Sequence, residues 1–218
     1  MPVRKIPRNY RHVTGRYAFL NGKSIAFEGT LERDFLYLMD FDPEVVDVEE
    51  QPVKVPVPHG KGRGAYYIPD FLVQRRTENP WLVEIKQTDD LKQNARDYEA
   101  KFKAAQVYAE ERDWTFKIVT DQEIRTPKLQ NIRLLLSYRN RKVDPGICAR
   151  LLSHASDRAT TTLGEILERA FPEPSEQPDI LPTLWHLVVT GHFNVNLEAE
   201  LNLGSLVKRR NGGVYAGH

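Results

Sequence analysis

The sequence predicts an α/β protein, a mixed sheet flanked by helices and followed by a small second domain. Two observations carry that reading. Over residues 30–138 the periodic segments run helix, two short strands, helix, strand, helix. At Val143-Asp144-Pro145-Gly146 the composition shifts, and three helical stretches and then a strand pair follow. The expected division is a basic arm at 1–25, a first domain at 26–143 and a second at 144–218, which is room for one ordinary domain and a small one.

Composition narrows the class. Hydrophobic residues make up 40% and charged residues 28% of the 218, a balance suited to a globular chain in water. The single cysteine, Cys148, excludes an internal disulfide and a Cys-based zinc site and predicts a reducing, cytoplasmic compartment. The longest apolar run, Leu184 to Val189, is short and broken by His186, so no membrane span is expected. MPVRKIPRNYRH lacks the apolar core of a secretory signal.

Net charge is only +1, but the charges are segregated. Met1–Ala26 holds six Lys/Arg and no acid, Glu28–Glu50 nine acids and one Arg, and Arg125–Lys142 six Lys/Arg and no acid. Basic surfaces that hold phosphates, around an acidic site that holds cations, give this pattern. Solvated faces with no partner are the competing reading.

The elements follow in order. Residues 1–25 read as an extended arm in which Arg4, Lys5, Arg8, Arg11 and Arg16 can track a DNA backbone; a floppy terminus is the rival. TLERDFLYLMDFDP predicts a helix with Thr30 at its N-cap and Pro43 marking its end. Leu31, Phe35, Leu36, Leu38 and Met39 form one arc, with Arg33, Asp34, Tyr37 and Asp40 opposite. Glu32 interrupts the apolar arc. An inward carboxylate needs a partner, unless Glu32 merely suits the helix dipole from the first turn. Glu28 precedes the helix.

Val45, Val46 and Val48 predict a strand, and Pro52, Pro56 and Pro58 exclude a central strand beyond it. HGKGRG (59–64) is a basic loop, with Lys61 and Arg63 as candidate DNA contacts. It is no P-loop, because no Gly-Lys-Ser/Thr opens a helix after it. Tyr66–Gln74 and Trp81–Gln87 predict a hairpin. Ile68, Asp70 and Leu72 share a face of the first strand, and Leu82, Glu84 and Lys86 a face of the second. Asp70 and Glu84 meet only if Asp70 stands opposite Glu84 or Lys86; a position opposite Ile85 would split them.

Residues 89–112 predict one helix whose stripe of Leu91, Ala95, Tyr98, Phe102, Ala105 and Ala109 faces the core. A strand at 115–121 and a helix at 122–138 follow, the latter carrying Lys128 and Arg133 as further DNA candidates. After the boundary, 146–155, 162–171 and 181–189 read as helices, with a capping box at Thr162 and Glu165, and 192–196 and 203–208 as strands. Three helices and a hairpin describe a winged helix, which binds DNA or protein. Lys208, Arg209 and Arg210 favour phosphate contact.

Asp70, Glu84 and Lys86 carry the chemistry. Two carboxylates and an ammonium among β-forming apolar residues are costly unless something binds them. Phosphodiester hydrolysis needs an activated water, charge neutralised on the phosphate and a stabilised leaving oxygen. Mg²⁺ serves all three needs and takes oxygen ligands. Asp70, Glu84 and the Ile85 carbonyl can hold one ion, and Glu32 can help hold a second. Lys86 can orient or deprotonate the water, or stabilise charge on the phosphorane. No H-E-x-x-H and no Gly-x-Ser-x-Gly occurs, and Cys148 has no activating motif.

At these residues the chain resembles a known family. LERDFLYLMDFDPEVVDVEEQP, then PDFLV, VEIKQ and FKIVTDQEI look like the TnsA endonuclease subunit of heteromeric transposases. The resemblance implies a restriction-endonuclease-like first domain and a winged-helix second. It implies Glu32 as the helical acid, Asp70 as the central metal ligand, Glu84 as the third acidic position and Lys86 as the catalytic lysine. It further implies Mg²⁺, with Mn²⁺ able to substitute and two ions bound, and a nucleoid-associated setting in a prokaryote. The subunit would nick the 5′ ends of a transposon, while a TnsB-like transposase cuts and joins the 3′ ends and a TnsC-like ATPase regulates assembly. A standalone restriction-like or repair nuclease, and a non-catalytic module that binds DNA and partners, are the alternatives.

Overall fold

A computed structural model describes residues 13–19, 22–58, 65–156 and 161–210. It divides into two units, the first ending at Arg125 and the second beginning at Thr126.

The first unit opens with an antiparallel hairpin, β1 (Gly15–Ala18) and β2 (Ser24–Phe27). The predicted arm is therefore a hairpin from Gly15 onward, while Arg4, Lys5, Arg8 and Arg11 lie outside the described residues. Helix α1 (Thr30–Asp40) follows. Its N-cap is Gly29 rather than Thr30, and no side chain caps it. Leu31, Phe35, Leu36 and Met39 are buried as the arc requires. Asp34, on the polar side, is buried too, at 1% exposure, and pairs with Arg33 at 3.1 Å.

Next come β3 (Val45–Glu50), β4 (Val55–Pro56), β5 (Tyr66–Tyr67), β6 (Phe71–Arg75) and β7 (Trp81–Lys86). The expected single strand Tyr66–Gln74 is two. Pro69, which has no N–H to donate, stands in the gap. β5 pairs with β4, and β6 joins the main sheet. Helices α2 (Thr88–Gln93) and α3 (Ala95–Glu110), strand β8 (Thr115–Thr120) and the short α4 (Asp121–Ile124) complete the unit. The main sheet has the order β3-β6-β7-β8. Its first two pairings are antiparallel and β7/β8 is parallel, with α2 and α3 forming the crossover.

The sheet is covered on both faces. Phe71 stacks on Phe35 of α1 with centroids 5.6 Å apart, and Leu72 and Leu82 pack with Ala109 of α3. Burying each such side chain is worth about 1.5–3 kcal/mol, so β6 and β7 are firmly held where the polar residues emerge. The helix expected over 89–112 breaks at Asn94, whose amide turns back onto Asp90 at 2.7 Å. Of its stripe only Ala105 and Ala109 are buried; Tyr98 and Phe102 are half-buried and stack on each other at 5.2 Å.

The second unit comprises α5 (Pro127–Leu136), α6 (Pro145–Ser153), β9 (Thr161–Thr162), α7 (Leu163–Ala170), α8 (Gln177–Val189), β10 (Phe193–Val195) and β11 (Leu206–Arg209). The expected helix 122–138 is thus α4 and α5, parted where Pro127 opens the latter. The second unit begins at this break. Buried Asn131 of α5 explains it: its amide donates to the Leu197 and Ala199 carbonyls at 2.8 and 2.7 Å and accepts from the Leu201 N–H at 3.1 Å. The Thr162–Glu165 capping box is present. α8 begins four residues earlier than 181, with Pro178 in its first turn. The three-stranded antiparallel sheet has the order β10-β11-β9, and the sequence reading missed β9. Among the described residues no helix is long and apolar enough to cross a membrane.

Candidate active site

Asp70 lies on the bend one residue before β6. The β6/β7 register runs Val73↔Trp81, Leu72↔Leu82, Phe71↔Val83, and one further step sets Asp70 across from Glu84. This is the even register that joins the two carboxylates on one side. The bend leaves the Asp70 carboxylate free of the ladder, and its Oδ2 accepts from the Ile85 N–H at 2.7 Å.

Glu84 is 4% exposed. Lys86 Nζ donates to its Oε1 at 2.5 Å, and the Tyr67 hydroxyl donates to its Oε2 at 2.6 Å. Lys86 Nζ also donates to the Ile85 carbonyl at 3.3 Å. Its ammonium therefore bridges two of the oxygens expected to hold an ion. The Tyr98 ring lies 5.5 Å from the same Nζ, and the Tyr98 hydroxyl is tied to Asp90 at 2.6 Å.

Glu32 reaches back along α1 to accept the Glu28 N–H at 2.8 Å. The helix-end role and the inward role thus coexist, because the same carboxyl is partly buried and feels the charges of Glu84 and Lys86.

Electrostatics expose the crowding. Burial, then the Glu84 and Glu32 charges, holds the Asp70 carboxyl well above its ordinary range; the Ile85 N–H and Lys86 oppose them. Burial raises Glu32 as well; the Glu28 N–H and Lys86 oppose it, while the Glu28 and Glu84 charges add to it. For Lys86, burial pulls the ammonium down, but Glu84 and Asp70 outweigh it and the net shift is upward. Burial, then Glu84, drives the Tyr67 hydroxyl far up, so it remains a donor. Three carboxyls around one ammonium leave a surplus of negative charge, and all the donors are hard oxygens, which suits a divalent cation. Among the described residues no three His, Cys, Asp or Glu side chains stand at metal-holding geometry.

Arg16 is in β1 and donates through Nε to the Ser24 hydroxyl at 2.9 Å and through Nη2 to the Ser24 carbonyl. Lys128 pairs with Glu198 at 2.9 Å, and Arg133 is an exposed residue of α5. Lys61 and Arg63 lie outside the described residues. Sequence reasoning did not single out the Tyr67 hydroxyl as a partner of Glu84; its place three residues before Asp70 was the available signal. It also passed over Gln51, which donates its N–H to the Asp70 carbonyl at 2.7 Å.

No curated protein matches the chain. Residues 42–121 match the model of the TnsA-like endonuclease N-terminal domain. The match spans β3 through β8 and takes in Asp70, Glu84 and Lys86, while Glu32 lies ahead of it. A mixed sheet flanked by helices fits the restriction-endonuclease-like fold expected of such a domain. That similarity over residues 42–121 supports a TnsA-type endonuclease domain in the first unit.

Proposed function

We propose that the first unit is a Mg²⁺-dependent DNA endonuclease that hydrolyses the 5′-end strand at transposon ends. It would work beside a TnsB-like transposase and a TnsC-like ATPase in cut-and-paste excision. The observation that supports this reading most is the meeting of Asp70, Glu84 and Lys86 at one end of β6 and β7, inside the matched segment. Asp70, Glu84 and the Ile85 carbonyl would hold one ion, Glu32 would help hold a second, and Mn²⁺ would substitute. When bound, the metal supplies charge neutralisation at the phosphate and a more acidic water.

The chain's own residues do the rest. Tyr67 fixes Glu84 through Oε2, so the carboxylate keeps its direction when Lys86 leaves Oε1. Lys86 is then the cation for charge developing on the phosphate oxygens, and its raised proton affinity keeps it charged for that task. Ile85 N–H holds Asp70.

The second unit, in this reading, is a winged helix. The order α6, β9, α7, α8, β10, β11, with β11 between β10 and β9, supports it. α8 carries no Lys or Arg, so phosphate contacts from this unit fall to residues such as Lys208 of β11.

Transposition with the two partners tests the proposal. Asp70→Ala and Lys86→Ala each abolish 5′-end cleavage and convert simple insertions into products still joined to donor DNA. Wild-type yields of simple insertions from both variants would remove the catalytic reading and leave a binding module.

A further inference from the structure

Gln51 follows β3 directly, with φ at +44°. This is the left-handed region, free to glycine and costly to most residues with a side chain. Asp113 also enters it, at +57°, but Asp113 is an exposed turn residue of a type that tolerates the conformation. Gln51 is neither; it is 8% exposed. Glycine would relieve the backbone, so the retained side chain calls for another account.

Gln51 touches two segments that carry the candidate carboxyls. Its N–H donates to the Asp70 carbonyl at 2.7 Å. Its Nε2 donates to Glu28 Oε1 at 3.4 Å, and the Glu28 N–H in turn donates to Glu32 Oε2 at 2.8 Å. The residue therefore links the bend before β6 to the approach to α1. Its Oε1 is buried and has no hydrogen-bond partner among the described residues. An open buried acceptor on a strained backbone is unfavourable for the fold alone, and such features gather where a site needs them.

We propose that Gln51 is a positioning residue of this active site, which ties the Asp70 main chain to Glu28 and keeps Oε1 open for a donor that arrives with the hydrated substrate. The proposal rests on the nuclease reading above. It accounts for a glutamine at a backbone position made for glycine.

The test uses the full chain with the transposase subunit, Mg²⁺ and an end-labelled duplex bearing a transposon end. Gln51→Gly keeps the N–H, relieves the backbone and deletes the amide. It melts at or above the wild-type temperature, its single-turnover cleavage rate falls at least about tenfold, and its half-saturating DNA concentration stays within about twofold. Gln51→Glu places a negative charge beside Glu28, so the acidic limb of the pH–rate profile moves to higher pH. Wild-type cleavage by Gln51→Gly, or a fall in its melting temperature, overturns the proposal. Asp70→Ala serves as the separate control. If it cuts as well as wild type, the nuclease reading fails. If it is inactive while Gln51→Gly is fully active, this proposal alone fails.

Discussion

Replacing Tyr67 by Phe removes one hydroxyl and leaves the ring against Phe102, 6.5 Å between centroids. The lost bond joins a residue 8% exposed to a carboxylate residue 4% exposed, so water has poor access to replace it. A hydrogen bond to a charged group is worth about 1.5–3 kcal/mol net. Lys86 still holds the other Glu84 oxygen at 2.5 Å, which favours the lower half of that range, about 2 kcal/mol. The Tyr67 hydroxyl is pushed far up by burial and then by Glu84, so it stays protonated and the loss is the same at neutral and mildly alkaline pH. Urea unfolding in a Trp185→Phe background reads the first unit alone, because Trp81 and Trp114 both lie in it. With a slope of about 1.5 kcal/mol/M, the midpoint drops by about 1.3 M. A double-mutant cycle with Glu84→Gln returns a coupling of about 1 kcal/mol or more. A midpoint shift under about 0.2 M, or no coupling to Glu84, would refute the claim that Tyr67 fixes this carboxylate.

Three other outcomes are expected. Asp70→Asn stabilises the fold at neutral pH. The Asp70 and Glu32 carboxyls bind protons more tightly folded than unfolded, so their contribution is complete below their ordinary values of 3.8 and 4.5 and is lost as pH rises through the higher folded values. Thermal unfolding against pH shows the variant gaining on wild type as pH rises; a variant less stable than wild type at neutral pH refutes this. Asn131→Ala leaves two carbonyls and an N–H of the 197–201 segment without their partner, costs about 3 kcal/mol, and speeds amide exchange at Leu201; unchanged exchange there contradicts the boundary argument. Trp81→Leu removes the ring that Arg75 and Lys117 approach at 3.9 and 3.4 Å. It costs about 1–2 kcal/mol for the two cation–π contacts, and a urea midpoint equal to wild type would exclude them as stabilising.

The sheet and the α1 arc were legible because periodicity and burial agree there. Phe35, Leu36, Leu72 and Leu82 are core residues by pattern and by structure. The parity of the register was also legible, since the two carboxylates share a side only with Asp70 opposite Glu84 or Lys86, and the observed register is of that parity. What escaped the sequence depended on backbone interruptions and partners distant in the chain. Pro69 splits one expected strand and sends Tyr67 to β4. Asn94 and Pro127 split two expected helices. Asn131 draws α5 to residues about 70 positions onward, which no local composition shift announces. Residue type and spacing singled out Asp70, Glu84 and Lys86 as candidates, and their hydrogen bonds run through neighbouring positions of β7. The Tyr67 hydroxyl on Glu84 and the left-handed Gln51 were not singled out, because each is defined by a tertiary contact or a dihedral angle.

The central claim is hydrolysis of one strand by Asp70, Glu84 and Lys86. Strand-resolved cleavage tests it most directly: the full chain and its transposase partner act on a duplex labelled separately on each strand, with Mg²⁺ added or withheld. The account predicts a cut on the 5′-end strand that needs Mg²⁺ and vanishes in Asp70→Ala and Lys86→Ala, while 3′-end cleavage by the partner continues. A 5′-end cut that persists in either variant, or that forms without a divalent ion, would contradict it.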